Sequence, residues 1–265
     1  MTDWTASGVI TVTTDFGHKG PFAAVMTGVI VQRFPDARVI DLAHDIPAHW
    51  PPEAGFWLSR SYTYFPNGTV HVAIVDPGVG TEREIIIAQK EQHLFMAPDN
   101  GLLAPVLEVA DRICRLDIEK LASFDIGESS LTFQGRDIFA PVAAELAAGR
   151  MALDDIGVDF QDWTPGWLDE PDVQSDRVNG VIVTVDAFGN LISNIDASLI
   201  EPFENPRVEI GGRQIDMKPT YGRAKPGDYL ALVNSFGVVE VARAEESAAE
   251  GLGCERGAPI SITTG

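Results

Sequence analysis

Apolar positions in the first part of the chain switch repeatedly between strand and helix periods. Val9-Ile10-Thr11-Val12-Thr13-Thr14 is β-branched at every position and stops at Asp15-Phe16-Gly17, which predicts a buried strand opening into a loop. From Pro21 to Gln32 the apolar residues recur at helical spacing. Arg38 to Leu42 predicts a short strand, and Glu53 to Tyr64 a helix with aromatic and apolar faces. Val70 to Val75 is a second buried strand, closed by Asp76-Pro77-Gly78-Val79-Gly80. Ile85 to Ala88 and Leu94 to Met96 form a hairpin pair, and Asp137 to Ala148 is a further helix. Strands separated by helices predict a three-layer α/β/α domain around a mainly parallel sheet.

Further on the pattern changes. Thr164 to Asp172 concentrates proline and acidic side chains, which places a linker at about residues 164–176. After Asp176 every patterned segment is short and strand-like: Val181–Val185, Leu191–Ile195, Val208–Ile210, Gln214–Met217, Tyr229–Val233, Val238–Val241 and Ile260–Thr263. Short strands with glycine turns predict a small all-β barrel or sandwich. The expected organisation is an N-terminal α/β domain over residues 1–168 and a C-terminal β domain over residues 177–265.

Composition narrows the setting. An apolar fraction of 45% in 265 residues supports a buried core, and no apolar run reaches the roughly 20 residues of a membrane helix. Met1-Thr2-Asp3-Trp4 lacks the basic-then-apolar pattern of a secretory signal, and the two cysteines, Cys114 and Cys254, stand in unrelated contexts; a cytoplasmic protein is expected. The formal charge is -20, from 39 acidic against 19 basic residues. Such a field repels phosphate backbones and anionic bilayers, so neither nucleic acid nor membrane is an expected partner, and a cationic small molecule is compatible with it.

Ligands of open α/β sheets bind beyond the carboxyl ends of strands. Two such ends carry an aspartate followed by glycine-bearing turns, Asp15 with Gly17 and Asp76 with Gly78 and Gly80. Glycine lets the backbone approach a ligand, and a carboxylate can clamp vicinal hydroxyls or hold a water; Asp-Pro-Gly is equally an ordinary turn. Pro98-Asp99-Asn100-Gly101, Phe188-Gly189-Asn190 and Asn234-Ser235-Phe236-Gly237 also read as turns. His71 lies inside an apolar strand and reads as a core residue, while His18 and His93 are placed at the surface. His44 and His49 flank Asp45 without a third ligand, so no metal site is expected. Walker, G-x-G-x-x-G, G-x-S-x-G and H-E-x-x-H motifs are missing.

Taken together and in order, Thr14-Asp15-Phe16-Gly17, Val75-Asp76-Pro77-Gly78-Val79-Gly80, Pro98-Asp99-Asn100-Gly101-Leu102-Leu103, Thr132-Phe133-Gln134-Gly135-Arg136-Asp137-Ile138-Phe139-Ala140-Pro141, Phe188-Gly189-Asn190 and Asn234-Ser235-Phe236-Gly237 are far more specific. From about residue 8 onward the chain resembles the S-adenosylmethionine hydroxide adenosyltransferases, or SAM hydrolases, relatives of fluorinase and chlorinase. The resemblance implies a homotrimer in which S-adenosylmethionine is the substrate and no cofactor is needed. It implies that the ligand is held between the N-terminal domain of one subunit and the C-terminal barrel of the next. It implies that Asp15 grips the ribose hydroxyls and that Asp76 and Arg83 belong to a water-positioning triad. Phe133 falls in the substrate-binding segment, Asn190, Ser235 and Asp186 near the methionine part, and Tyr221 on the adenine, using its π face.

Three departures stand out. The third member of the triad, a histidine in the family pattern, is Gln134 here; Gly20 replaces an acidic residue; and Ala242-Arg243-Ala244-Glu245-Glu246-Ser247 follows the adenine-contacting segment only loosely. A sulfonium already makes C5′ of the ribose part of a good electrophile, so the task is to hold a water in line with the C5′–S bond and take its proton. Asp76 is the candidate acceptor. Arg83 either fixes that carboxylate or forms a plain surface ion pair. Gln134 can orient water through its amide but cannot carry a proton. Three readings follow: hydrolysis to adenosine and methionine, a halide adenosyltransferase, or a slow or non-catalytic S-adenosylmethionine or adenosine binder. The intact Asp76 motif argues against the second, and Gln134 motivates the third.

Overall fold

The computed structural model describes residues 4–127 and 129–265. The chain divides into two compact units, Met1–Trp167 and Leu168–Gly265.

The first unit is built on seven strands: β1 (Val9–Thr14), β2 (Arg38–Ala43), β3 (Val70–Ile74), β4 (Ile85–Lys90), β5 (His93–Pro98), β6 (Arg112–Leu116) and β7 (Gly157–Asp159). They lie in the order β2-β1-β3-β5-β4-β6-β7. Every residue of β1, β3 and β5 is buried, because both faces of the sheet are covered. On one face Ile10, Val12, Val72 and Met96 pack with Met26 and Ile30 of helix α1 (Phe22–Arg33). On the other, Ala73, Phe95 and Ala97 pack with Leu58 of helix α2 (Pro51–Ser61) and with Val106 of the short helix α3 (Ala104–Leu107). The three-layer α/β/α reading therefore holds.

The parallel expectation describes β2, β1, β3 and β5. From there the sheet is mixed, since β4 runs antiparallel to both β5 and β6, and β6 to β7. The reason is local: Lys90 pairs with His93 across a two-residue turn in which Glu91 has φ +54°, so β4 and β5 can only be a hairpin. The helix expected over 137–148 begins as a π-helical turn, Gly135–Phe139, and continues as α4 (Ala140–Ala147), preceding the one-turn α5 (Leu153–Ile156). Pro141 sits at the junction of the π-turn and α4, where its missing N–H removes one bond of the helical ladder.

One histidine differs from expectation. His71 is buried as predicted, but so is His93, which is 3% exposed. His93 opens an interior strand, and its Nδ1 lies 3.1 Å from His71 Nε2, while His71 Nδ1 lies 2.8 Å from Thr11 Oγ1. The sheet itself supplies the polar partner that lets it leave water.

The second unit is antiparallel throughout its ladders. Its strands are β8 (Asp172–Val173), β9 (Arg177–Val185), β10 (Leu191–Asp196), β11 (Arg207–Ile210), β12 (Arg213–Asp216), β13 (Tyr229–Val233), β14 (Val238–Arg243) and β15 (Pro259–Thr263), with one-turn helices α6 (Ala197–Ile200) and α7 (Ala248–Leu252). The order is β12-β11-β15-β9-β10-β14-β13, with β8 paired to β9. Met217, just past β12, bridges to Ala231 of β13, so the sheet nearly closes into a barrel. Val178, Ile182, Leu191, Val208, Val241 and Ile262 fill it. Gly180 in mid-β9 is required by a close approach: a Cβ there would lie 2.4 Å from Asn194 Oδ1 and 2.6 Å from Ile195 Cγ1. Among the described residues no helix is long and apolar enough to cross a membrane.

Candidate active site

Strands β1 and β3 are parallel neighbours with Thr14 opposite Ile74. Their carboxyl ends therefore deliver Asp15 and Asp76 to one edge of the sheet, where a cavity of about 250 Å³ opens. Phe133 and Gln134, from the segment leading into the π-turn, complete its wall together with Phe16 and Phe22. The three phenylalanine rings pack with centroids 5.5–6.1 Å apart, giving the cavity an apolar side facing its carboxylates.

Asp76 is held from three directions. Its Oδ1 accepts from the Gly78 N–H at 3.1 Å, and its Oδ2 accepts from Arg83 Nε at 2.9 Å and from Arg83 Nη2. The same Nη2 donates to Gln134 Oε1. The Asp76 and Arg83 side chains are only 5% and 10% exposed, so this is no surface ion pair. Behind it, the Asn100 amide donates to the Val75 carbonyl at 2.8 Å, pinning the strand end that precedes Asp76. Gly80, at φ +80°, lets the loop pass where a Cβ would lie 2.4 Å from the Leu131 carbonyl oxygen. On the far side the Asp137 carboxylate accepts from the Ser130 N–H at 2.8 Å and from Arg136 at 2.6 and 2.9 Å. The Arg136 bonds hold the Asp137 carboxyl below its usual range against a smaller opposing effect of burial.

The Asp15 loop is fixed by the segment after β2. Asp15 Oδ2 accepts from the His49 N–H at 3.1 Å, and the Gly17 N–H donates to the His44 carbonyl at 2.8 Å. The buried His44 ring places Nδ1 2.8 Å from Thr14 Oγ1, which also accepts from the Phe16 N–H at 3.2 Å. Its Nε2 is 3.0 Å from Asp41 Oδ1, an ion-pair contact without hydrogen-bond alignment. His44 thus serves the loop, and among the described residues no three His, Cys, Asp or Glu side chains gather as a metal site.

The second unit carries a separate cavity of about 600 Å³, walled by Asp186, Phe188, Asn190, Tyr221 and the segment 242–247. Asp186 organises it: Oδ1 accepts from the Phe188 and Asn190 N–H groups and Oδ2 from Asn190 Nδ2, all at 2.9 Å. Gly189, at φ +81°, brings this loop against Ser247. The Tyr221 hydroxyl donates to Glu240 Oε1 at 2.6 Å, and Asn234 Nδ2 donates to Oε2 at 3.2 Å. Burial pushes the Glu240 carboxyl up, with the Tyr221 and Asn234 bonds pulling the other way; burial and then Glu240 push the Tyr221 hydroxyl up. Ser235 is exposed in the turn between β13 and β14, outside that wall.

Of the residues singled out from sequence, Asp15, Asp76, Phe133 and Gln134 share the first cavity, and Arg83 joins two of them. Asp186, Asn190 and Tyr221 share the second. Glu240 and His44 were missed. A signal for Glu240 existed: it is a lone charge within Val238-Val239-Glu240-Val241-Ala242.

Residues 10–157 match the model of the SAM hydroxide adenosyltransferase N-terminal domain, and residues 180–261 that of the C-terminal domain. The chain belongs to the SAM hydroxide adenosyltransferase family. It is 35% identical over 256 residues to an (R)-S-adenosyl-L-methionine hydrolase of Thermus thermophilus, covering 94% of this chain and 96% of that protein. It is 38% identical to a protein of the same name from Salinispora tropica, covering 97% and 98%. The fluorinase of Actinopolyspora mzabensis is 23% identical over 99% of both chains. A solved structure of an uncharacterized conserved protein from Thermotoga maritima superposes with a TM-score of 0.87 at 32% identity, over 96% of this chain and 99% of that one.

Proposed function

We propose that this protein hydrolyses S-adenosylmethionine to adenosine and methionine. The observation that carries the reading is the buried Asp76–Arg83 pair, joined to Gln134 at the edge of a cavity that also holds Asp15. Whole-length similarity to proteins named (R)-S-adenosyl-L-methionine hydrolase supports it. In the reaction the oxygen of a water bonds to ribose C5′ as the C5′–S bond breaks. The electron pair leaves with sulfur, so methionine departs as a neutral thioether and needs no proton. The water's proton passes to Asp76 and on to solvent. Arg83 uses two N–H groups to fix the orientation and reach of the Asp76 carboxylate. Gln134, whose Oε1 already accepts from Arg83, orients water without taking its proton, which leaves Asp76 as the acceptor.

Around this centre Asp15 binds the ribose hydroxyls and Phe133 supplies apolar wall. Tyr221 stacks on adenine, and Asp186, Asn190 and Ser235 serve the methionine part. The two cavities serve one ligand in a homotrimer, the first cavity of one copy meeting the second of a neighbour. The domains run over residues 1–168 and 177–265, and the free thiols of Cys114 and Cys254 suit the cytoplasm.

The test is chromatography of products after incubation with each sulfonium epimer, with and without added halide. Adenosine and methionine in equal amounts are expected. A halogenated adenosine would move the protein to the halide-using branch, and an unchanged ligand after days would make it a binder.

A further inference from the structure

Glu240 stands in mid-β14 with 3% of its surface exposed, on the sheet face opposite the barrel-core residues Val239 and Val241, where a buried carboxylate is costly unless its oxygens are satisfied. Its two oxygens are both used. Oε1 takes the hydroxyl of Tyr221, from the short turn 221–223, and Oε2 takes the amide of Asn234, from the turn that carries Ser235. Tyr221 itself remains 47% exposed at the wall of the second cavity, on a one-turn segment outside the strand ladders. A half-exposed ring in that setting is free to change rotamer unless its far end is tied down. The bond to Glu240 is that tie, and a charged acceptor makes it a strong one. It also draws electron density from the hydroxyl into the ring, improving the π face presented to an electron-poor heterocycle or to a nearby cation.

We propose that Glu240 is a positioning residue for ligand recognition: through Tyr221 it locks one wall of the cavity as a stacking surface for a planar base. This rests on the reading of that cavity as the adenine end of the site. The distinctive consequence is that Glu240 and Tyr221 act on affinity as one unit.

The experiment is a double-mutant cycle on the full chain in its native assembly, with adenosine affinity measured by calorimetry and Tm recorded alongside. Tyr221→Phe keeps the ring and cuts the tie; Glu240→Leu removes the carboxylate and keeps the volume. Each single change is expected to raise the adenosine Kd about 10-fold. The double variant is expected to show no larger rise, while its Tm recovers part of the way towards wild type, because Tyr221→Phe removes the hydroxyl that Glu240→Leu orphans and leaves only the half-buried Asn234 amide without its acceptor. A merely structural Glu240 would lower the Tm of Glu240→Leu and leave the Kd of both folded single variants unchanged; that result, or additive losses of affinity, overturns the inference. If Glu240→Leu does not fold, Tyr221→Phe decides alone, and an unchanged Kd there is fatal. A wild-type protein that binds no adenosine would instead refute the reading of the cavity, and the inference with it.

Discussion

At the scale of single residues, the proposed chemistry turns on the geometry that places Arg83 between Asp76 and Gln134. A carboxylate that accepts from a backbone N–H on one oxygen and from Nε and Nη2 along one edge of a guanidinium on the other is fixed in direction, which is what an in-line water requires. Asp76→Ala is expected to lower turnover by about 10²-fold or more, and Gln134→His to raise it by about 10-fold or more, by returning a group that can share the proton. Single-turnover rates and separately measured S-adenosylmethionine affinity check both; equal rates in all three proteins would remove Asp76 from the chemistry. Asp76 was legible in the sequence as an aspartate at a strand end before glycine turns, and Arg83, seven positions on, through the family resemblance. His44 and Glu240 were not, because the partners that give them meaning, Thr14 and Tyr221, come from other elements 30 and 19 positions away. Ser235 shows the converse, a motif position whose side chain lies outside the cavity wall.

At the scale of elements, continuous apolar runs revealed β1, β3 and the β4–β5 hairpin, since strands covered on both faces leave no polar alternation. Strand β6 and the edge strand β7 are not legible in the pattern: Arg112-Ile113-Cys114-Arg115-Leu116 interleaves charge with apolar side chains, and β7 has three residues. The interior strands carry one liability. Burial, and then His93, push His71 from 6.5 down to about 3, and burial pushes His93 down as well. Unfolding lets both imidazoles take protons below about pH 6.5, whereas the folded protein keeps them neutral. The His71 contribution is therefore complete above about pH 6.5 and is lost as pH falls towards 3, by up to about 1.4 kcal/mol per pH unit, and His93 acts in the same direction. Tm is expected to drop steadily from pH 6.5 to 4, and the double change His71→Gln with His93→Gln to flatten that slope whatever it does to the absolute Tm. A slope unchanged in the double variant would assign the acid sensitivity to carboxylates such as Glu145, which its bonds to Arg150 and Arg33 hold low despite burial.

At the scale of the whole molecule, an excess of 20 negative charges suits a substrate with a sulfonium and an ammonium against one carboxylate, and it disfavours polyanions. The candidate ligand groups are divided between two units, Asp15 and Asp76 in the first and Asn190 and Tyr221 in the second. The first cavity alone, at about 250 Å³, falls below the range usual for a drug-sized ligand. The proposed ring of three copies, each lending its first cavity to the second cavity of a neighbour, would join them without any new element. Complementation tests this directly. Asp76→Ala and Tyr221→Ala chains, each inactive or nearly so alone, are unfolded together in equal amounts and refolded as mixed assemblies. If every site takes its first half from one copy and its second from the next, about a quarter of sites are intact under random mixing, and activity returns to about that fraction of wild type. If each site lies within one chain, no combination restores one and the mixture stays as inactive as its parts. Sedimentation of the wild-type protein supplies the control: a monomer with full activity would end the trimer proposal however the mixed sample behaved.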